Sequence, residues 1–260
     1  MLGRIAAFVY GVVCYLVFFA TFLYAIGFLG NFGVPKSIDS GPQLPFLQVL
    51  AINSLLLALF AIQHSVMARP WFKAAWTRVV PVPIERSTYV LFSSLALLLM
   101  FWGWQPMGGV FWNVTSTYGR LALHSLYAIG LLTVLATTFL INHFDLFGLR
   151  QVWLHLLGRP YTALEFRTPG PYQYVRHPLY VGWLLTFWSA PTMTAAHLVF
   201  AAATTAYILV AIQFEERDLV HFHGEYAEYR RQVPMLVPTG SSNQRARPEI
   251  RQPTTKQVTN

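Results

Sequence analysis

The apolar residues of this chain are gathered into long unbroken runs rather than spaced along one helical face or at every second position. Residues 5–29 form a run of about 25, longer than a signal-peptide core and without a small-residue cleavage site, so the pattern predicts an uncleaved membrane span. A loop punctuated by Gly33, Pro35, Gly41, Pro42 and Pro45 leads to a second run over 46–67, whose last turn carries Gln63 and His64. In 68–80, Trp71, Phe72 and Trp76 are mixed with Arg69, Lys73 and Arg78, a mixture suited to a membrane interface. Further spans are predicted over 88–104 and 121–141. Residues 142–178 read as the longest polar connection, and 179–214 as a helical hairpin whose first arm is broken near Pro191. An arm of about 12 residues reaches roughly 18 Å at 1.5 Å per residue, against a hydrocarbon thickness of about 30 Å, so it must be tilted, re-entrant or partly inserted.

The expected fold is therefore an all-α, polytopic helical bundle of about five to six membrane segments. The chain divides into a four-helix membrane region (1–141), a connection with the hairpin and C-terminal segment (142–238), and a basic tail (239–260). The tail is rich in Ser, Gln, Thr, Arg and Pro and is expected to be disordered.

Composition agrees with a membrane protein. Hydrophobic residues make up 55% of the chain, charged residues only 11%, and the mean hydropathy is +0.46; soluble domains carry about 25% charged residues. The net charge of +8 raises the question of nucleic acid, but the basic residues lie in loops between apolar runs and not along one exposed patch. Arg69, Lys73, Arg78 and Arg86 fall in one loop and Arg150, Arg159, Arg167 and Arg176 in another, whereas the alternate loops hold Lys36 and Arg120. The positive-inside rule then places both basic loops and both termini in the cytoplasm, consistent with a bacterial inner membrane. The lone cysteine, Cys14, sits inside the first run and reads as a packing residue. Trp102, Trp104, Trp183 and Trp188 read as interfacial or lipid-facing aromatics. No obligate protein partner is evident.

The densest polar and aromatic stretch, 170–182, opens directly into the hairpin. Pro178 suits the first turn of a helix, so Arg176 and His177 would stand at its N-terminus beside Tyr172, Tyr174 and Tyr180, a setting that favours an anionic group. Glu215 and Glu216 close the hairpin on the same side. By this topology His64, His143 with Asp145, His177 and Glu215 converge at one membrane depth, where an ionisable group is expensive unless paired or functional. Taken singly, a histidine at a helix end is more often a dipole partner or a hydrogen-bonding residue than a catalyst; the convergence brings the two readings level.

Arg176, His177, Pro178, Tyr180 and Gly182, followed by Glu215 and Glu216 and then by Gly224, Tyr226, Tyr229, Arg230, Val233 and Pro234, resemble the C-terminal half of the integral-membrane methyltransferases. That group includes isoprenylcysteine carboxyl methyltransferases and phospholipid N-methyltransferases. The N-terminal part, with Gln63 and His64, Arg69 to Trp71, Glu85, Arg86 and Tyr89, and Asn142 to Gln151, is similar to the bacterial methanethiol S-methyltransferase branch. The resemblance implies S-adenosylmethionine as cofactor and a small thiol as acceptor, methanethiol passing to dimethyl sulfide. It implies cofactor contacts from Tyr172, Tyr174, Arg176, His177, Pro178, Tyr180, Gly182, Glu215, Glu216 and Tyr229.

A bound sulfonium donor needs ring faces or anions for its cation, donors for its carboxylate and acceptors for its ribose. The tyrosines, Arg176 with His177, and the paired glutamates supply these. Since thiolate is the nucleophile, a thiol acceptor asks for a base, and His64, His143 and Asp145 are the candidates, with Asp145 orienting a histidine. Two other readings stay open: another acceptor on the same scaffold, such as an isoprenylcysteine carboxylate or a lipid amine, and a non-methyltransferase membrane protein of related topology. His221 and His223 lack a third ligand nearby, so no metal site is expected, and phosphate-loop and nucleophile-elbow motifs are missing from the sequence.

Overall fold

The computed structural model describes residues 1–164, 166–222 and 224–238; the expectation for the tail 239–260 lies outside them. Among the described residues, five helices are long and apolar enough to cross a membrane: α1 (Leu2–Gly30), α2 (Phe46–Met67), α4 (Val82–Gly103), α5 (Thr117–Ile141) and α9 (Ala195–Phe222). Between them lie α3 (Pro70–Trp76), α6 (His143–Leu146), α7 (Leu149–Leu156) and the short arm α8 (Pro178–Trp188), and α10 (Tyr226–Gln232) follows α9. This is the expected helical bundle, with the hairpin arm as the segment too short to span.

Helices α1 and α4 pack together, α2 packs on α4, and α5 lies along α8. Small residues set the last contact. A Cβ on Gly182 would come 2.8 Å from the Gly130 carbonyl oxygen, and one on Gly130 would come 2.7 Å from the Gly182 carbonyl oxygen. Two glycines facing each other let the backbones approach, the usual solution for helix pairs in lipid. The core beneath is aromatic and aliphatic, with Phe28, Phe101, Trp104, Phe187, Phe200 and Ile212 buried together. Val13, Leu16, Leu55, Leu95 and Leu132 face outward, as a lipid-exposed surface requires.

Four features differ from the sequence expectation. The third span begins at Val82 and not at 88, with Pro81, Val82 and Pro83 opening the helix, so Glu85 and Arg86 lie inside it. The connection after α5 is partly helical, and α7 docks against α1 and α4 with Val152 fully buried. Trp104, read as an interfacial ring, is instead fully buried against Phe200 at 5.5 Å between ring centroids, because the chain turns inward after α4. Finally, β1 (Val110–Asn113) pairs antiparallel with β2 (Thr192–Thr194), clasping the α4–α5 loop to the end of the short arm.

The backbone turns of 142–148 fix the far side of the site. Gly148 has φ +87°, and a Cβ there would lie 2.6 Å from Ser87 Oγ, so only glycine lets this loop close on the start of α4. That closure brings the Leu146 carbonyl to Arg86 Nε at 2.8 Å.

Candidate active site

Pro178 begins α8 as the sequence predicts, which leaves Arg176 and His177 just before the helix. Their backbone N–H groups do not point at open space. Arg176 N–H donates to the Pro234 carbonyl at 2.9 Å and His177 N–H to the Met235 carbonyl at 3.2 Å. The segment 226–236 is thus strapped across the front of the motif. Tyr229 fastens the other end of the strap, its hydroxyl donating to the Tyr172 carbonyl at 2.6 Å.

Glu216, 2% exposed, is the centre of this arrangement. Its Oε1 accepts from Arg176 Nε at 2.6 Å and from His177 Nε2 at 3.0 Å, and its Oε2 forms an ion pair with Arg230 Nε at 3.0 Å. A buried carboxylate is tolerable when it is hydrogen-bonded and paired in this way. Glu215, one position on, is half-exposed; its Oε2 accepts from the Tyr180 hydroxyl at 3.0 Å, and its Oε1 has no partner among the described residues. The two glutamates of the motif are therefore different: one braces the strap, the other offers an acceptor.

Other polar groups remain available around Glu215. The Tyr226 hydroxyl is buried with no hydrogen-bond partner among the described residues, and Tyr226 lies within electrostatic reach of Glu216, Arg176 and Glu215. Burial first, and then the Glu215 charge, push the Tyr172 hydroxyl well above the usual tyrosine range, so it is a neutral donor there. Tyr174, by contrast, is 68% exposed. Gly182 is filled from the α5 side as described above, and Pro178 is buried at the start of α8.

The candidate bases fall into two groups. His64 joins the first: its Nδ1 meets Ser93 Oγ at 3.1 Å, the Tyr89 hydroxyl lies 3.0 Å from its Nε2, and Phe60 stacks on its ring. The hydroxyls of Tyr89 and Tyr207 are within electrostatic reach of Tyr180, which ties this group to Glu215. His143 stands apart. Its Nε2 meets the Tyr15 hydroxyl at 2.9 Å and its Nδ1 the Thr138 hydroxyl at 2.8 Å, inside a box of Phe139, Phe144 and Phe147. Burial holds its imidazole below the ordinary histidine value, hence neutral at pH 7.

Asp145 does not orient either histidine through a hydrogen bond among the described residues. It receives Arg150 Nη1 at 2.9 Å, Gln151 and the Tyr161 hydroxyl, while its own N–H is capped by Asn142. The reason is local geometry: α6 is a single turn, and the carboxylate faces the following loop.

Sequence reasoning passed over Tyr207 and the pairing of Arg69 with Asp218 at 2.9 Å, and it named Tyr226 and Arg230 only within a resemblance. Tyr89 likewise entered only through a resemblance, and Arg86 there and as a loop cation. With α4 starting at Val82 they are three residues apart on one face, and the Arg86 guanidinium lies 5.1 Å over the Tyr89 ring.

The family described as phospholipid methyltransferase matches residues 120–226, the part of the chain holding α8 and the Glu215–Glu216 pair. No solved structure matches the chain. A protein of Crocosphaera subtropica named methanethiol S-methyltransferase is 60% identical over 238 residues, 91% of this chain and 93% of that protein. One of Mycobacterium tuberculosis with the same name is 52% identical over 90% of this chain and 97% of its own length. Nurim of Mus musculus is a more distant relative, 31% identical over 68% of this chain and 70% of its own. With identities of 52–60% across nine-tenths of its length, the chain belongs to the methanethiol S-methyltransferase family of integral-membrane methyltransferases.

Proposed function

We propose that the protein transfers a methyl group from S-adenosylmethionine to methanethiol, releasing dimethyl sulfide, at the end of the bundle that carries the Glu215–Glu216 pair. The observation that carries this reading is the 60% identity, over nearly the whole chain, to a protein named for that acceptor. The chemistry of the site agrees with the donor. S-adenosylmethionine supplies, when bound, a methyl group already activated on a sulfonium, so the chain's own task is positioning, exclusion of water and handling of one proton.

The groups left over around the strap fit that donor: the free Glu215 Oε1 as an acceptor for ribose hydroxyls, the Tyr172 and Tyr226 hydroxyls as donors, and their ring faces beside a cation. Arg176, His177 and Glu216 hold the strap 226–236 over them. On the acceptor side His64 takes the thiol proton, with Ser93 fixing its Nδ1 and Tyr89 its orientation. His143, Asp145, Tyr174, Pro178, Gly182 and Tyr229 support the site from outside this constellation. The protein lies in the inner membrane with this end toward the cytoplasm.

The test is a headspace assay: purified protein in lipid nanodiscs, methanethiol and methyl-labelled S-adenosylmethionine. Labelled dimethyl sulfide is the expected product, and none from a folded, donor-binding preparation rejects the reading. His64→Ala is expected to lower turnover about 10²–10⁴-fold with donor affinity unchanged. A phospholipid amine is the second acceptor to offer, since the matching family is described as acting on phospholipid; labelled lipid in place of labelled thioether would favour it.

A further inference from the structure

The cations at the site end of the bundle are mostly spoken for. Arg69 pairs with Asp218, Lys73 with Glu85, Arg150 with Asp145, and Arg176 and Arg230 with Glu216. Arg86 is different. It is half-buried, it stands in the fifth position of α4, and no carboxylate lies within ion-pair distance of it among the described residues. Two contacts hold it still: Nε donates to the Leu146 carbonyl, and the guanidinium plane rests over Tyr89. Neither contact uses its Nη groups, for which no partner is present among the described residues. Arg86 is also close enough to His64 for its charge to act on the imidazole.

A half-buried guanidinium that is clamped by one nitrogen, backed by a ring and left without a counter-ion is a built anion site. Its neighbours say which anion. Its guanidinium lies over Tyr89, whose hydroxyl meets His64 Nε2 and is within electrostatic reach of Tyr180, itself bonded to Glu215, so an anion on Arg86 would stand beside the candidate base. Resting on the thiol reading above, we propose that Arg86 is the cation that holds the acceptor sulfur as thiolate.

The step balances as follows. The S–H bond breaks and its proton passes to His64 Nε2; the thiolate sulfur, held on the Arg86 Nη groups, forms the new C–S bond while the donor's S–CH3 bond breaks. The electron pair of that bond stays on the donor sulfur, which becomes a neutral thioether. Neither product carries charge on its sulfur, so Arg86 no longer holds the sulfur once the thioether has formed, and the proton leaves His64 to water.

Donor-free protein tests this directly. ¹³C-methanethiol bound to protein in nanodiscs is titrated by NMR, following the methyl shift between thiol and thiolate. The native protein is expected to ionise the bound thiol at least one pH unit below the free thiol, Arg86→Gln to abolish that displacement, and Arg86→Lys to restore part of it. S-adenosylmethionine affinity should change less than twofold in either variant, and kcat/KM for the thiol in Arg86→Gln should fall about 10²-fold. Displacement retained in Arg86→Gln overturns the proposal, as does a loss of donor affinity with the thiol titration unmoved, which would put the donor's carboxylate on Arg86. Arg86→Lys, which keeps the charge, separates loss of the anion site from loss of the Leu146 contact. If the native protein makes no thioether at all, the thiol reading fails, whatever Arg86 does.

Discussion

Adjacent glutamates with the same chemistry have different work because of one helical step. Successive residues on a helix are about 100° apart, so Glu216 turns into the bundle and Glu215 toward the free polar groups. Removing Glu216 strands Arg176 and His177 against each other, and Glu216→Ala is expected to destabilise the protein by about 3 kcal/mol, with Arg230, half-exposed, adding little. Thermal unfolding in nanodiscs would record it. Glu215→Gln should leave the unfolding midpoint in place and weaken S-adenosylmethionine binding by about 1.5–3 kcal/mol, measured by calorimetry. His143 sets a pH dependence. Its folded pKa is depressed by burial, so its contribution is present above the unfolded value near 6.5 and is lost as pH falls through the folded value. Unfolding midpoints between pH 7 and pH 5 should therefore fall more steeply for the native protein than for His143→Gln. That Arg176, His177 and the paired glutamates gather at one place was legible in the sequence, because a Pro-started helix and a doubled carboxylate announce themselves. Their partners were not. Nothing in the order of residues says that Asp145 turns to Arg150 and Tyr161, or that Tyr229 spends its hydroxyl on a backbone carbonyl while Tyr226 keeps its own.

Among the elements, the long spans were legible from hydropathy, and their ends were not. The start of α4 was hidden because Glu85 and Arg86 look like loop residues. Both are held from outside the helix, Glu85 by an ion pair with Lys73 and Arg86 through its Nε by the Leu146 carbonyl, and they sit in its first turns. The β1–β2 clasp is four residues against three, paired across about 80 positions of chain, and a contact so distant leaves no local periodicity to read. Asn53, buried in α2, is satisfied in the same non-local way: its amide donates to the Gln105 carbonyl at 2.8 Å and accepts from the Gln105 N–H at 2.9 Å. The close crossing of α5 and α8 carries the sharpest element-level prediction. Gly182→Val would force its side chain onto the Gly130 carbonyl and Val134, and should destabilise the protein by about 1–3 kcal/mol. Because His177 stands just before α8, donor affinity should fall with it, whereas Gly3→Ala, in open space, should change neither quantity.

For the molecule as a whole, alternation of the five spans puts the starts of α1, α4 and α8 at the same end as the finishes of α2, α5 and α9. Orientation is tested by single cysteines. Cys14 is fully buried and would stay silent, so a new thiol at Lys73 or Arg159 should resist an impermeant maleimide in intact cells while one at Gly109 reacts. The opposite pattern would invert the assignment. The strap has a consequence for the making of the protein. Residues 226–236 leave the ribosome after every span, so α9 must enter the bilayer with Glu216 already made and Arg230, Pro234 and Met235 still to come. Until they arrive, a newly inserted chain has all five membrane-length helices but carries a carboxylate that lacks one of its three partners, and a nascent chain stalled in this interval would be embedded yet without its strap. Maturation of the enzyme is then a folding event at the membrane surface, later than insertion and open to surveillance by proteases that recognise an unfastened C-terminus.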